Sequence, residues 1–387
     1  MKKIYKDILS VIIAIIIGIV GFFTGIYALI TMLNGFLQYI PLILVAGITL
    51  IRVLIFTILN LYKRKKPTKN LVIGFAIMWI LAGGYLANHL YKESIDRVGA
   101  EVDLAQYQPN MEGTKVATLE KEASLQLPKE NLLRLDGATA LYPLYSSFVQ
   151  ATYPQKTYHF FDPTVRATKT PEAYNNLIEG SVDIIFVAGP SEAKLKYAEK
   201  MGVTLNMTPI GREAFVFFVH AKNSVAGLSS DQIRDIYSGK VTNWKDVGGK
   251  NDSIRAFQRP TDSGSQTAVH KFMGRVPLME APTEDVVAGM GGVISEVSEY
   301  KNYRNAIGYT FRFFSTEMVK NDNIRLLEVD GVYPDKESIR SGTYPITAEF
   351  YAITAGTDNP HAQAFIDWIL SDEGQELVEK TGYVPIN

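Results

Sequence analysis

The stretch from Arg259 to Thr267 (RPTDSGSQT) holds the residue types best suited to chemistry. A guanidinium at Arg259 stands a few residues before a Ser263, Gly264, Ser265 turn, which runs into an apolar helical pattern through Ala268, Val269, Phe272 and Met273. Backbone N–H groups at a helix start have no intrahelical partner, and the helix dipole makes that end positive. Glycine allows an anion close to the backbone, serines add hydroxyl donors, and arginine offers a fork of donors that suits a tetrahedral oxyanion. The stretch reads as an oxyanion cradle. The same residues also read as a serine-capped helix beside a surface arginine.

A cradle needs elements to hold it. From Leu132 onward, short β-rich runs alternate with amphipathic helical runs. Strands are expected at 132–135, 158–161, 182–187, 215–219 and 346–353. Helices are expected at 143–152, 171–179, 192–201, 231–237, 266–273 and 362–381. This alternation predicts an α/β architecture. Two further helix starts resemble the first: Asp136 to Thr139, after a strand, and Thr170, Pro171, Glu172, with an N-cap and proline at the first helical position. Open α/β sheets bind ligands where helices begin at the carboxyl ends of strands. Each helix end contributes roughly 0.3–2 kcal/mol toward an anion, and each charge-assisted bond from Arg259 about 1.5–3 kcal/mol. Micromolar binding needs about 8 kcal/mol, so three converging starts would reach that scale.

The rest of the composition narrows the function. A net charge of −1 over 387 residues gives no electrostatic case for nucleic acid. The absence of cysteine excludes disulfides, thiolate metal sites, a cysteine nucleophile and a lipidated cysteine. The five histidines (His89, His159, His220, His270, His361) are not spaced as metal pairs, and no cofactor is expected. The front of the chain is membrane-like. No charge occurs between Asp7 and Arg52, and about twenty apolar residues cross a bilayer core. Spans are expected near 8–33, 36–61 and 71–90, broken at Asn34 and Gly35. The pattern continues too far for a cleavable signal peptide. Lys2, Lys3, Lys6 and the cluster Lys63, Arg64, Lys65, Lys66, Lys69 place the N-terminus and second loop in the cytoplasm. Everything after Leu90 is then extracellular. Arg52 is read as snorkelling to the cytoplasmic interface. Residues 92–130 are expected to form an extracellular stalk, and 131–387 the ligand-binding domain.

Several segments together resemble the phosphate-binding proteins of ABC importers. These are Asp136 to Tyr145 (DGATALYPLY), Leu228 to Gly249 (LSSDQIRDIYSGKVTNWKDVGG), Arg259 to Ser265, Ala306 to Tyr309 (AIGY), Ala364 to Gln375 (AFIDWILSDEGQ) and Gly382 to Pro385 (GYVP). The resemblance runs from about Leu132 to Asn387. It implies a two-lobed periplasmic-binding-protein fold closing on an oxyanion, with Leu228 to Gly249 on the hinge side. It also implies an ABC permease or other membrane partner. Carried over position by position, the ligand-binding residues are Thr139, Thr170, Arg259, Ser263, Gly264 and Ser265.

Two departures qualify that expectation. The family usually has a Ser-Gly-rich turn where this chain reads Thr168, Lys169, Thr170, Pro171. It also places an aspartate, which accepts the proton of hydrogen phosphate, where this chain has Ala188. Asp136, Asp162 or Glu192 could substitute for that carboxylate, and Lys169 or Arg166 could add positive charge. No enzyme is expected. An oxyanion-sensing receptor and an extracellular phosphate-ester hydrolase built on a Ser263–His270 pair are the alternative readings. The sequence otherwise reads Asp183 as structural, Trp244 as a packing anchor and His270 as a solvated helix residue.

Overall fold

The computed structural model describes residues 2–33, 36–63, 69–93, 97–98, 102–259, 261, 263–280, 300–301, 303–319 and 322–386. The chain divides into two compact units, Met1–Ile95 and Asp96–Asn387.

The first unit is three helices, Lys2–Leu33, Ile40–Lys63 and Lys69–Glu93. Two stretches, Ile8–Leu33 and Ile73–Tyr91, are long and apolar enough to cross a membrane, with mean hydropathy 2.7 and 1.4; the apolar part of the middle helix, Ile40–Phe56, is shorter. Large apolar side chains such as Ile15, Phe22, Phe23, Ile80 and Leu81 point outward. Helices satisfy their own backbone groups, so an outward apolar surface is what lipid-facing helices present. Contacts inside the unit are close: Trp79 Nε1 donates to Thr49 Oγ1 at 3.1 Å, and a Cβ on Gly47 would stand 2.5 Å from Thr24 Cγ2. Arg52 is exposed on the middle helix. The break at Asn34 and Gly35 and the basic loop residues 64–66 lie outside the described residues.

The second unit is built on a mixed sheet ordered Leu135–Gly137, Ile184–Ala188, Thr347–Thr354, Asn206–His220, Ala306–Phe311, Arg255–Ala256. The two outermost pairs are parallel and the inner ones antiparallel. The fifteen-residue strand Asn206–His220 organises this unit. Residues up to Ala214 pair with Thr347–Thr354, and residues from Phe215 on pair with Ala306–Phe311 and Ile324–Leu326. Two cores follow. One gathers Tyr145, Phe148, Ile184, Phe186 and Trp368, and the other Phe215, Phe217, Tyr237, Trp244 and Tyr309. The fold is therefore two α/β lobes joined through one strand that belongs to both. Leu228 to Gly249 supplies Ile233, Tyr237 and Trp244 to the second core. Trp244 is buried as a packing anchor, its Nε1 donating to the Asn305 carbonyl at 2.9 Å.

Three expectations are corrected. Residues 102–130 are not a free stalk: Tyr107, Val116, Ala123 and Leu127 are buried in the first core. Glu373 accepts both the N–H and hydroxyl of Ser124, at 2.9 and 2.8 Å. Apolar residues spaced irregularly along a polar segment mimic a linker in sequence, yet each one fills a separate gap. Residues 158–161 form only an isolated bridge, Phe161 to Arg166, rather than a strand. The helix expected over 362–381 is two, Ala362–Leu370 and Asp372–Thr381, because Ser371 takes an extended conformation between them.

Candidate functional site

All six residues expected to bind a ligand line one cavity of about 360 Å³ in the second unit. Thr139 and Thr170 come from the first lobe. Thr139 opens a 3₁₀ turn leading into helix Tyr142–Thr152, and Thr170 opens helix Thr170–Ile178. Arg259, Ser263, Gly264 and Ser265 come from the second lobe, at the start of helix Gly264–Met273. The two long-helix starts nearly meet: a Cβ on Gly264 would stand 3.2 Å from Thr170 Oγ1. A Cβ at this position would be tight against the facing threonine hydroxyl, which would have to give by a few tenths of an ångström.

Ser263 is the N-cap, its Oγ accepting the Gln266 N–H at 3.2 Å. A hydroxyl that accepts one bond still has its own proton to donate, so capping and anion binding coexist on the same atom. Arg259 is located by its backbone. Its N–H donates to Gln266 Oε1 at 2.9 Å and to the Tyr309 hydroxyl at 3.2 Å. That hydroxyl also donates to Gln266 Oε1. Gln266 therefore ties the arginine to the helix that follows it. Pro260 and Asp262 lie outside the described residues.

The Thr170 turn is fixed by Asp136. Its carboxylate accepts from Thr168 N (2.9 Å), Thr168 Oγ1 (2.6 Å), Asn176 Nδ2 (2.8 Å) and Gly137 N (2.7 Å). These four bonds occupy the carboxylate, and it does not line the cavity. The turn then forces Lys169 to φ 74°, ψ 159°, a region that is essentially glycine-only. The Ser-Gly-rich turn of the resembled family would meet this geometry without strain. Lys169 itself lines the cavity. Arg166 does not; its Nη2 donates to the Ser181 carbonyl at 3.4 Å.

Ala188 ends its strand on the cavity wall and brings no carboxylate. Asp162 and Glu192 are not on that wall either. The acids that are there, Glu213 and Glu349, were missed by sequence reasoning. Glu213 lies on the shared strand at the change of lobe and is 6% exposed. Burial pushes its carboxyl up to about 8, against the lowering effects of the Phe313 N–H and the Arg312 charge. The available signal was a charged pair, Arg212 and Glu213, interrupting an otherwise apolar strand. Asp183 is structural, as expected. Burial raises its carboxyl, but hydrogen bonds from Arg134 and Thr357 outweigh this and hold it below its usual range. His270 is exposed, 3.4 Å from Gln266 Nε2, and does not line the cavity.

Two lobes sharing a strand, with helix starts from both facing one cavity, define a two-lobed solute-binding architecture. Residues 109–373 match the PBP superfamily domain, and the chain belongs to that superfamily. Among curated relatives, the phosphate-binding protein PstS of Bacillus subtilis (strain 168) is 28% identical over 260 residues, covering 66% of this chain and 80% of that protein. PstS of Pseudomonas aeruginosa (strain PAO1), also a phosphate-binding protein, is 26% identical over 247 residues, covering 57% and 73%. Among solved structures, an ABC-type phosphate transport receptor from Vibrio cholerae aligns at 19% identity and TM-score 0.47, covering 65% of this chain and 99% of that one.

Proposed function

We propose that the interlobe cavity captures phosphate or a closely related oxyanion through Thr139, Thr170, Arg259, Ser263, Gly264 and Ser265. The domain would present it to a membrane partner of the ABC-permease kind. The observation that carries this reading is the convergence of donors from both lobes on one cavity. Binding would then draw the lobes together. The relatives' own names as phosphate-binding proteins support the choice of anion.

The N-terminal helices serve in this reading as a multi-pass anchor, with the N-terminus cytoplasmic and the binding domain outside, following the distribution of lysine and arginine. The protein acts as a binder and not as a catalyst. His270 is exposed and does not line the cavity, which supports binding over a Ser263–His270 hydrolase. Calorimetric titration of the full-length chain in detergent with orthophosphate and then sulfate tests the anion. Micromolar binding of phosphate is expected, with sulfate weaker. Heat from sulfate equal to that from phosphate would refute phosphate selectivity.

A further inference from the structure

Lys169 is not one of the six cradle residues, yet its backbone sets it apart. Among the described residues, the non-glycines with positive φ are Asn110, Asn131, Lys169 and Asp330. Asparagine and aspartate tolerate such angles because a short polar side chain bonds locally. Lysine has no such help, and at ψ 159° it lies outside the left-handed helical region as well. Glycine would meet this geometry at no steric cost. Strained residues cluster at ligand sites, where what they present is part of the mechanism.

The position is beside the cradle. Lys169 lines the cavity and is exposed, so it stands at the mouth. Its neighbour Thr170 faces the start of helix Gly264–Met273, where a Cβ on Gly264 would stand 3.2 Å from Thr170 Oγ1. From here a flexible four-carbon stem carries the ammonium. Lys169 belongs to the first lobe and Arg259 to the second, so each lobe brings a cation to the wall. Glu213, on the same wall, is kept largely protonated at neutral pH by its burial and cancels neither charge.

Resting on the oxyanion reading above, we infer that Lys169 is a further ligand-binding residue, its ammonium meeting the bound oxyanion from the first lobe while Arg259 meets it from the second. Two cations on facing lobes repel each other across an empty cavity, and an anion between them attracts both. The charge of the anion then helps to draw the lobes together. Lysine holds that charge at a turn better suited to glycine, which trades stability for affinity.

The test titrates the full-length chain in detergent with orthophosphate by calorimetry, at low and high sodium chloride. It compares wild type with Lys169→Arg, Lys169→Met and Lys169→Gly. Arginine keeps both charge and strain, methionine keeps the strain alone, and glycine removes both. Affinity is expected to follow charge: Lys169→Met and Lys169→Gly bind about tenfold more weakly, and Lys169→Arg binds like wild type. Added salt should weaken wild type more than Lys169→Met, because the variant has one charge fewer to screen. Because glycine relieves the strain, weaker binding by Lys169→Gly is not a sign of unfolding. Lys169→Met or Lys169→Gly binding as tightly as wild type overturns the inference. Weakened binding by Lys169→Arg, with equal salt dependence in wild type and Lys169→Met, gives the lysine a structural role only and also overturns it. If wild type does not bind orthophosphate, or Arg259→Ala binds it as tightly as wild type, the oxyanion reading falls and the inference with it. Binding that depends on Arg259 and is indifferent to Lys169 removes only the inference.

Discussion

Arg259 and Glu213 show how unequally single residues announce themselves. Arg259 sits before a Ser-Gly-Ser turn, a local pattern whose chemistry can be read from neighbours alone. Glu213 lies within an apolar run, and only the pairing of its strand with Ala348 and the approach of Phe313 place it at a cavity. Its behaviour gives a prediction. A carboxyl that titrates near 8 in the folded state and near 4.5 when unfolded binds its proton more tightly folded. Stability from this group is therefore complete below about 4.5 and is lost as pH rises toward about 8. Urea unfolding of wild type should weaken across that window by up to a few kcal/mol, at ~1.4 kcal/mol per pH unit. Glu213→Gln should flatten the dependence there. An unchanged slope in the variant would mean that Glu213 is ionised in the folded state.

At the scale of elements, the sequence shows strong periods and misses short or irregular pieces. Helices around 231–237 and 266–273 form as expected because caps and amphipathic spacing agree, and the helix around 143–152 forms with Pro143 in its first turn and no side-chain cap. The strands Arg255–Ala256 and Ile324–Leu326 are too short to carry a period, and Ala306–Phe311 was noticed as a motif rather than as a strand. The segment 102–130 has no period, so its burial was illegible. The turn at Lys169 was visible as a departure from the family pattern, but not the reason: Asp136 holds Thr168 on one side, and helix Thr170–Ile178 begins on the other. Strain at such a backbone angle costs about 1–3 kcal/mol, partly offset in glycine by about 0.5–1 kcal/mol of extra unfolded-state freedom. Lys169→Gly should therefore raise unfolding free energy by about 1 kcal/mol in urea titrations, and Lys169→Val should lower it. Destabilisation by the glycine variant would show that the lysine side chain stabilises the turn more than its backbone strains it.

For the molecule as a whole, the two-lobed α/β character was legible because several motifs fall in order along more than half of the chain. What the sequence could not show is that residues as far apart as Thr139 and Ser265 share a cavity. That depends on one strand, Asn206–His220, passing from one core into the other. The helices of Met1–Ile95 add two stretches suited to a bilayer, and in the proposed arrangement they keep the binding domain at the surface where a permease would meet it. The central claim is that anion binding uses this two-lobed cradle through Arg259. Calorimetry of the full-length chain in detergent with orthophosphate, comparing wild type with Arg259→Ala, tests it most directly. Two charge-assisted bonds at about 1.5 kcal/mol or more each predict a loss of at least about a hundredfold from micromolar affinity. An Arg259→Ala protein that binds orthophosphate as tightly as wild type would contradict the account.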